Sequence, residues 1–129
     1  MHKRKVLIGE DEKNISEMYK IAFEKFGYNA VTASNGKEVI DVAQKELPDI
    51  VLLDINMPIK DGFQVLKDIS EQEDIYQIFL SIPVVILSNY NNPQDIDYCM
   101  RMGAQDYIIK SEWTPADIVK KIDDLLNDL

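Results

Sequence analysis

Four apolar runs in this chain each end in a residue able to do chemistry. IVLLD closes on Asp54, with Asn56 two places on; VLIG runs into Glu10, Asp11 and Glu12; VVIL ends at Ser88, and DYII at Lys110. A carboxylate at the end of an apolar run is costly to bury alone, so Asp54 demands a partner. Brought to one edge, several carboxylates repel unless something positive sits among them. An oxygen-rich set without nitrogen or sulfur ligands suits Mg²⁺, held by one or two carboxylates, a carbonyl and waters. Metal and lysine could neutralise a phosphoryl group, the hydroxyl could donate a hydrogen bond to it, and a carboxylate could act as nucleophile. Taken singly, each residue has an ordinary reading. GEDE would be a solvated loop, Lys110 a surface cation, and Ser88 a hydroxyl bonded to nearby backbone. Only a fold that gathers them turns the set into a site.

The intervening segments indicate that fold. Five runs rich in Val, Ile and Leu read as strands: 5–9, 28–33, 49–54, 83–88 and 106–110. Apolar residues at consecutive positions, as in IVLL and VVIL, suit strands covered on both faces. Between them lie helical stripes. The first is Ile15, Met18, Tyr19, Ala22, Phe23 and Phe26, closed by Gly27; the second is Val39, Ile40, Ala43 and Leu47; the third is Val65, Leu66 and Ile69. Ile96, Cys99 and Met100 make the fourth, with Gly103 as its C-terminal cap, and Ile118, Val119, Ile122, Leu125 and Leu126 the fifth. Thr114 and Pro115 mark the start of that last helix. The stretch 70–81 is long for a connection and predicts an extension of the third helix or an added turn. Five β-α units imply an α/β fold with a doubly wound parallel sheet, helices on both faces and right-handed crossovers. In the flavodoxin-like order 2-1-3-4-5, the first and third strands are neighbours and their acidic ends converge at the ligand-binding edge.

Composition narrows the function. The 129 residues suit one domain, and the three that follow Leu126 leave no room in the chain for a separate effector domain. With 23 acidic against 14 basic side chains and a net charge of −9, neither nucleic acid nor an anionic membrane is the expected partner. One cysteine, Cys99, and one histidine, His2, exclude an internal disulfide and a Cys/His zinc site, and His2 is poorly placed for a catalytic triad. No apolar stretch approaches the ~20 residues of a membrane helix, and the N-terminus lacks the apolar core of a secretion signal, so a cytoplasmic location is expected.

The acidic pair Glu10 and Asp11, Asp54 within LLDINMPIKDG, Ser88 at the end of VVILS and Lys110 at the end of DYIIK together resemble the receiver domains of two-component response regulators, across essentially the whole chain. The resemblance implies that Asp54 accepts a phosphoryl group from a phosphohistidine on a sensor histidine kinase or a histidine phosphotransfer protein. It implies that Mg²⁺ (or Mn²⁺) is held by Asp11, Asp54 and the backbone carbonyl of Asn56, with Glu10 acting largely through water. It further implies that Lys110 pairs with Asp54 before phosphorylation, that Ser88 then turns toward the phosphoryl group, and that Tyr107 rotates inward behind it. The face made by the fourth helix, fifth strand and fifth helix, near Tyr98, Met102, Tyr107 and Trp113, would bind a downstream protein or a second copy. The chain would thus be a stand-alone receiver in a phosphorelay, a signalling phosphoacceptor and not a metabolic enzyme.

Two positions depart from the family pattern. Ser111 stands where proline usually follows the lysine, and a trans peptide is expected there. Asn89, followed by Tyr90, stands where a small residue is common; with Asn56 these side chains are expected to set the lifetime of the aspartyl phosphate, and bulk at Asn89 to slow attack by water. Competing functions are weaker. A Mg²⁺-dependent phosphatase with an aspartyl nucleophile generally needs an acid where Asn56 stands. FMN binding fails because the acidic cluster would repel the phosphate. A receiver-like module that binds partners without phosphorylation is the remaining alternative.

Overall fold

The computed structural model describes residues 3–129, so His2 lies outside the described residues. The order is β1 (Lys5–Gly9), α1 (Lys13–Lys25), β2 (Asn29–Ala33), α2 (Gly36–Glu46), β3 (Ile50–Leu53), α3 (Gly62–Glu71), α4 (Glu73–Phe79), β4 (Val84–Ser88), α5 (Pro93–Arg101), β5 (Asp106–Ile109), a 3₁₀ turn (Lys110–Glu112) and α6 (Pro115–Asn127). The strands form one parallel sheet in the order β2-β1-β3-β4-β5, as expected from the alternation of strand and helix patterns. Among the described residues, no helix is long and apolar enough to cross a membrane.

The period-2 geometry of a strand divides the consecutive apolar runs between two cores. Val6, Ile8, Ile50, Leu52, Val85, Leu87 and Ile108 face α1 and α6, where Tyr19, Phe23, Ile118 and Ile122 meet them. Leu7, Val51, Leu53, Val84 and Ile86 face the other way, toward Val39, Ala43, Val65 and Cys99 on α2, α3 and α5. Each fully buried aliphatic side chain contributes about 1.5–3 kcal/mol, which makes a one-residue slip of a central strand prohibitive. The register that results sets the site. Gly9 pairs with Leu53 and Leu53 with Ile86, so Glu10 and Asp54 are the first residues beyond adjoining strands.

The helical stripes are narrower than their sequence spacing predicts. Tyr19 and Phe23 are buried, whereas Met18 and Phe26 are exposed; Cys99 is buried and Met100 exposed. A helix lying on one face of a sheet can bury only the central part of its apolar arc. Leu47, expected in the second stripe, caps α2 with φ 47° and is exposed. The proline that follows disfavours right-handed helical backbone at this position, and the αL turn carries the side chain outward. The 70–81 stretch is neither a longer third helix nor a single turn. Gln72 is extended and separates α3 from α4, which buries Ile75 and Phe79 on its own account. Among the described residues the sheet therefore carries six α-helices, not five. Gly27 and Gly103, with φ of 98° and 103°, lie just past the ends of α1 and α5, in the left-handed region that favours glycine. The Thr114 side chain accepts from the Asp117 N–H, and Pro115 opens α6 as expected.

Candidate functional site

Glu10 and Asp54 leave adjacent strands side by side, and both are buried. The backbone supports them: the Glu10 N–H donates to the Ala33 carbonyl and the Asp54 N–H to the Gly9 carbonyl, each at 2.9 Å. Lys110 leaves β5, two strands from β3, so only a long cationic side chain can cross the end of β4 to reach the acids. Its Nζ donates to Glu10 Oε1 at 2.5 Å and to Asp54 Oδ2 at 3.0 Å. Burial alone would lower the pKa of this ammonium; its hydrogen bond to Glu10 and the charge of Asp54 outweigh that effect, and the net direction is upward. Its contact with Asp54 is one the sequence led us to expect. Its direct pairing with Glu10 was not anticipated from the sequence, because contact between residues 100 apart depends on the sheet order.

Glu10 Oε2 accepts from the Glu12 N–H at 3.1 Å, so both of its oxygens are occupied by the chain's own donors. Asp11 is exposed and accepts no hydrogen bond among the described residues. One carboxylate oxygen from each of Glu10, Asp11 and Asp54 lies within 4.8 Å of the others. That spacing and an all-oxygen donor set fit a hard divalent cation, whose octahedral ligands lie about 2.0–2.1 Å from the centre. Among the described residues no buried side-chain oxygen lacks a partner, so Asp54 Oδ1, which accepts no hydrogen bond there, reaches solvent.

The loop after β3 is held by its backbone. Ile55 and Met57 are buried; the Ile55 carbonyl accepts from Met57 N at 3.1 Å and from Gly62 N at 2.8 Å, leaving the Asn56 side chain exposed. A Cβ at Gly62 would stand 2.6 Å from the Asp54 carbonyl oxygen. The G of the DG pair is therefore required by this close approach to the backbone of Asp54. Asp61 caps α3 in a reciprocal box with Gln64. An open cleft of about 210 Å³ is lined by Glu10, Asp11, Glu12, Ile15, Asp54, Asn56, Ser88, Asn89, Tyr90 and Lys110, which unites all the expected site residues except Tyr107.

Tyr107 lies behind the cleft. It faces the α5 side, is half-buried, and its hydroxyl donates to the Tyr90 carbonyl at 2.7 Å, while burial raises its pKa. Ser88 Oγ accepts from the Tyr90 N–H at 3.0 Å. There is no cis peptide among the described residues, so Lys110–Ser111 is trans as expected. The Ser111 N–H, absent from a proline, donates to Asn89 Oδ1 at 3.0 Å. On the face formed by α5, β5 and α6, Tyr98 is packed inward against Phe63, with ring centroids 5.5 Å apart, and is less available than its helical position suggested. Trp113 remains exposed, with Lys121 Nζ 5.0 Å from its ring.

Five parallel strands with helices on both faces, a buried aspartate paired to a lysine and an acidic cluster beside it define a CheY-like receiver. The family model for the response regulator receiver domain matches residues 6–123, and the chain belongs to that family. It is 33% identical over 120 residues to the probable transcriptional regulator ycf27 of Guillardia theta, covering 93% of this chain and 44% of that protein. This chain thus spans about half the length of the curated relatives it matches. Among solved structures, the chemotaxis response regulator CheY4 of Vibrio cholerae is similar with a TM-score of 0.83 and 26% identity, over 96% of this chain and 99% of that one. The BeF₃-activated N-terminal receiver domain of Klebsiella pneumoniae RstA is similar at 0.82 and 28%, over 95% and 98%.

Proposed function

We propose that Asp54 is the phosphoacceptor of a phosphorylation-driven switch, receiving its phosphoryl group from a phosphohistidine of a sensor histidine kinase or histidine phosphotransfer protein. The carrying observation is the state of Asp54: buried, tied through Oδ2 to Lys110, and accessible through Oδ1 beside two further carboxylates. In this reading Oδ1 forms the new O–P bond as the P–N bond of the phosphohistidine breaks, and the imidazole departs neutral with its protons balanced by solvent. Lys110 shifts its hydrogen bonds toward the phosphoryl oxygens, as a compact cation suited to charge developing there. Ser88 exchanges the Tyr90 N–H for a phosphoryl oxygen, and Tyr107 follows the loop to which its hydroxyl is tied. Asp11, Asp54 and the Asn56 carbonyl, with Glu10 in support, would hold Mg²⁺ or Mn²⁺, which supplies further neutralisation of phosphoryl charge. Asn56, Asn89 and Tyr90 line the approach for water and set the lifetime of the acyl phosphate. The output is a population shift of the α5–β5–α6 face toward a form that binds a downstream protein or a second copy.

Intact-mass spectrometry after incubation with acetyl phosphate tests this directly. The expected result is one phosphoryl adduct that requires Mg²⁺ and is absent from Asp54→Asn. A folded protein without an adduct under any condition would leave phosphorylation-independent binding as the function.

A further inference from the structure

The loop after β4 is fastened to β5 and the following turn by successive residues. The Tyr90 carbonyl accepts from the Tyr107 hydroxyl at 2.7 Å, and Asn89 Oδ1 accepts from the Ser111 N–H at 3.0 Å. Ser111 stands between Lys110, whose ammonium is in the site, and Trp113, whose N–H closes the 3₁₀ turn onto the Lys110 carbonyl. The Trp113 ring in turn meets Lys121 of α6. Asn89 and Ser111 are both exposed, where water competes for their hydrogen bond. A bond of this kind adds little to global stability. Its consequence is positional, because it joins residue 89, next to Ser88, to residue 111, next to Lys110.

We propose that the Asn89–Ser111 hydrogen bond is a coupling strut that carries movement of the Ser88 loop to the 110–113 turn and the start of α6. Asn89 is then a positioning residue that acts through its side-chain acceptor, and Ser111 acts through its backbone N–H. The proposal rests on Asp54 being the phosphoacceptor, since phosphorylation is what moves Ser88. It gives the two departures from the family pattern one explanation: a proline at 111 would lack the donor, and a small apolar residue at 89 would lack the acceptor. It also differs from a purely steric role for Asn89, in which bulk alone governs the access of water.

The two roles separate in Asn89→Leu, which keeps the bulk and removes the acceptor, and Ser111→Ala, which keeps the N–H. In the resting wild-type protein, exchange of the Ser111 amide measured by NMR should be slowed roughly fivefold relative to Asn89→Leu, in keeping with a hydrogen bond of ordinary net strength. On addition of Mg²⁺ and beryllofluoride, fluorescence of Trp113, the only tryptophan in the chain, should change in wild type and Ser111→Ala. The change, read at saturating beryllofluoride so that acyl-phosphate lifetime does not enter, should be reduced at least twofold in Asn89→Leu and in Asn89→Ala. An unprotected Ser111 amide in wild type, or a full Trp113 response in Asn89→Leu, overturns the strut. A Trp113 response lost only in Asn89→Ala assigns the effect to bulk and also overturns it. Failure of the wild-type protein to form any adduct removes the underlying function as well, and the mass measurement distinguishes that result from failure of the strut alone.

Discussion

The two ends of the sheet use the same kinds of charged residue to different effect. At the amino end, Glu46 meets Lys5 Nζ at 3.0 Å, Asp49 accepts from the Lys5 N–H at 2.7 Å, and Asp123 takes both the Arg4 guanidinium at 3.3 Å and the Tyr28 hydroxyl at 2.7 Å. Each of these three acids has a donor of its own. At the carboxyl end, Glu10 and Asp54 share a single ammonium, and Asp11 has no donor among the described residues. Glu46, Asp49 and Asp123 are thus each matched by the chain's own donors, whereas the carboxyl end has unused acceptor capacity for a cation. A count of ion pairs would not distinguish them; the donors available to each carboxylate do.

The largest effect is expected at Lys110. Lys110→Met leaves two buried carboxylates without their ammonium, and urea denaturation should show a loss of about 3 kcal/mol. Mg²⁺ should restore part of that loss, and an unchanged stability without metal would mean that the carboxyl end is no less complete than the other. Gly62→Ala should cost about 2 kcal/mol through overpacking against the Asp54 carbonyl, with Mg²⁺ affinity falling because the backbone beside Asp54 must shift. The amino end should respond less. Tyr28→Phe removes one hydrogen bond to Asp123 and should cost about 1 kcal/mol, with no effect on Mg²⁺ binding.

The same tyrosine makes a pH prediction. Burial, reinforced by the hydrogen bond to Asp123, pushes Tyr28 up to about 12 from 10.0. The folded state therefore holds this proton more tightly than the unfolded one. Its contribution is complete below pH 10, declines as pH rises, and is gone beyond about 12. In alkaline denaturation the wild-type protein should consequently lose more stability between those limits than Tyr28→Phe, whose curve should be flatter. The smallest effect is expected in the loop after Asp54, where exposed Ile59 adopts φ 68°, an outlier for a β-branched residue. Ile59→Gly should raise thermal stability by an amount equivalent to about 0.5–1 kcal/mol.

How far the sequence could be read depended on whether a feature was local. IVLL, VVIL and VLIG read as doubly covered strands, and Thr114-Pro115 and Gly103 marked helix ends through backbone preferences that operate within a few residues. Met18, Phe26, Leu47 and Met100 misled the helical stripes because burial is decided by what lies opposite, and sequence spacing does not report that. The α4 helix was obscured for a related reason: the break at Gln72 is a main-chain conformation that no glycine or proline announces. The Asn89–Ser111 bond left only an indirect signal, two unusual residues in loops that proved to be adjacent.

The chain by itself determined a five-stranded parallel α/β fold and the identity of the residues at its strand ends, since both follow from alternation and apolar runs. Tertiary structure alone decided that Lys110 would serve Glu10 as well as Asp54, that Asp11 would stay open, and that Asn89 would meet Ser111. Those outcomes depend on strand order, register and side-chain reach across the sheet, and electrostatic pairing acts on distances in space, whatever the separation along the chain.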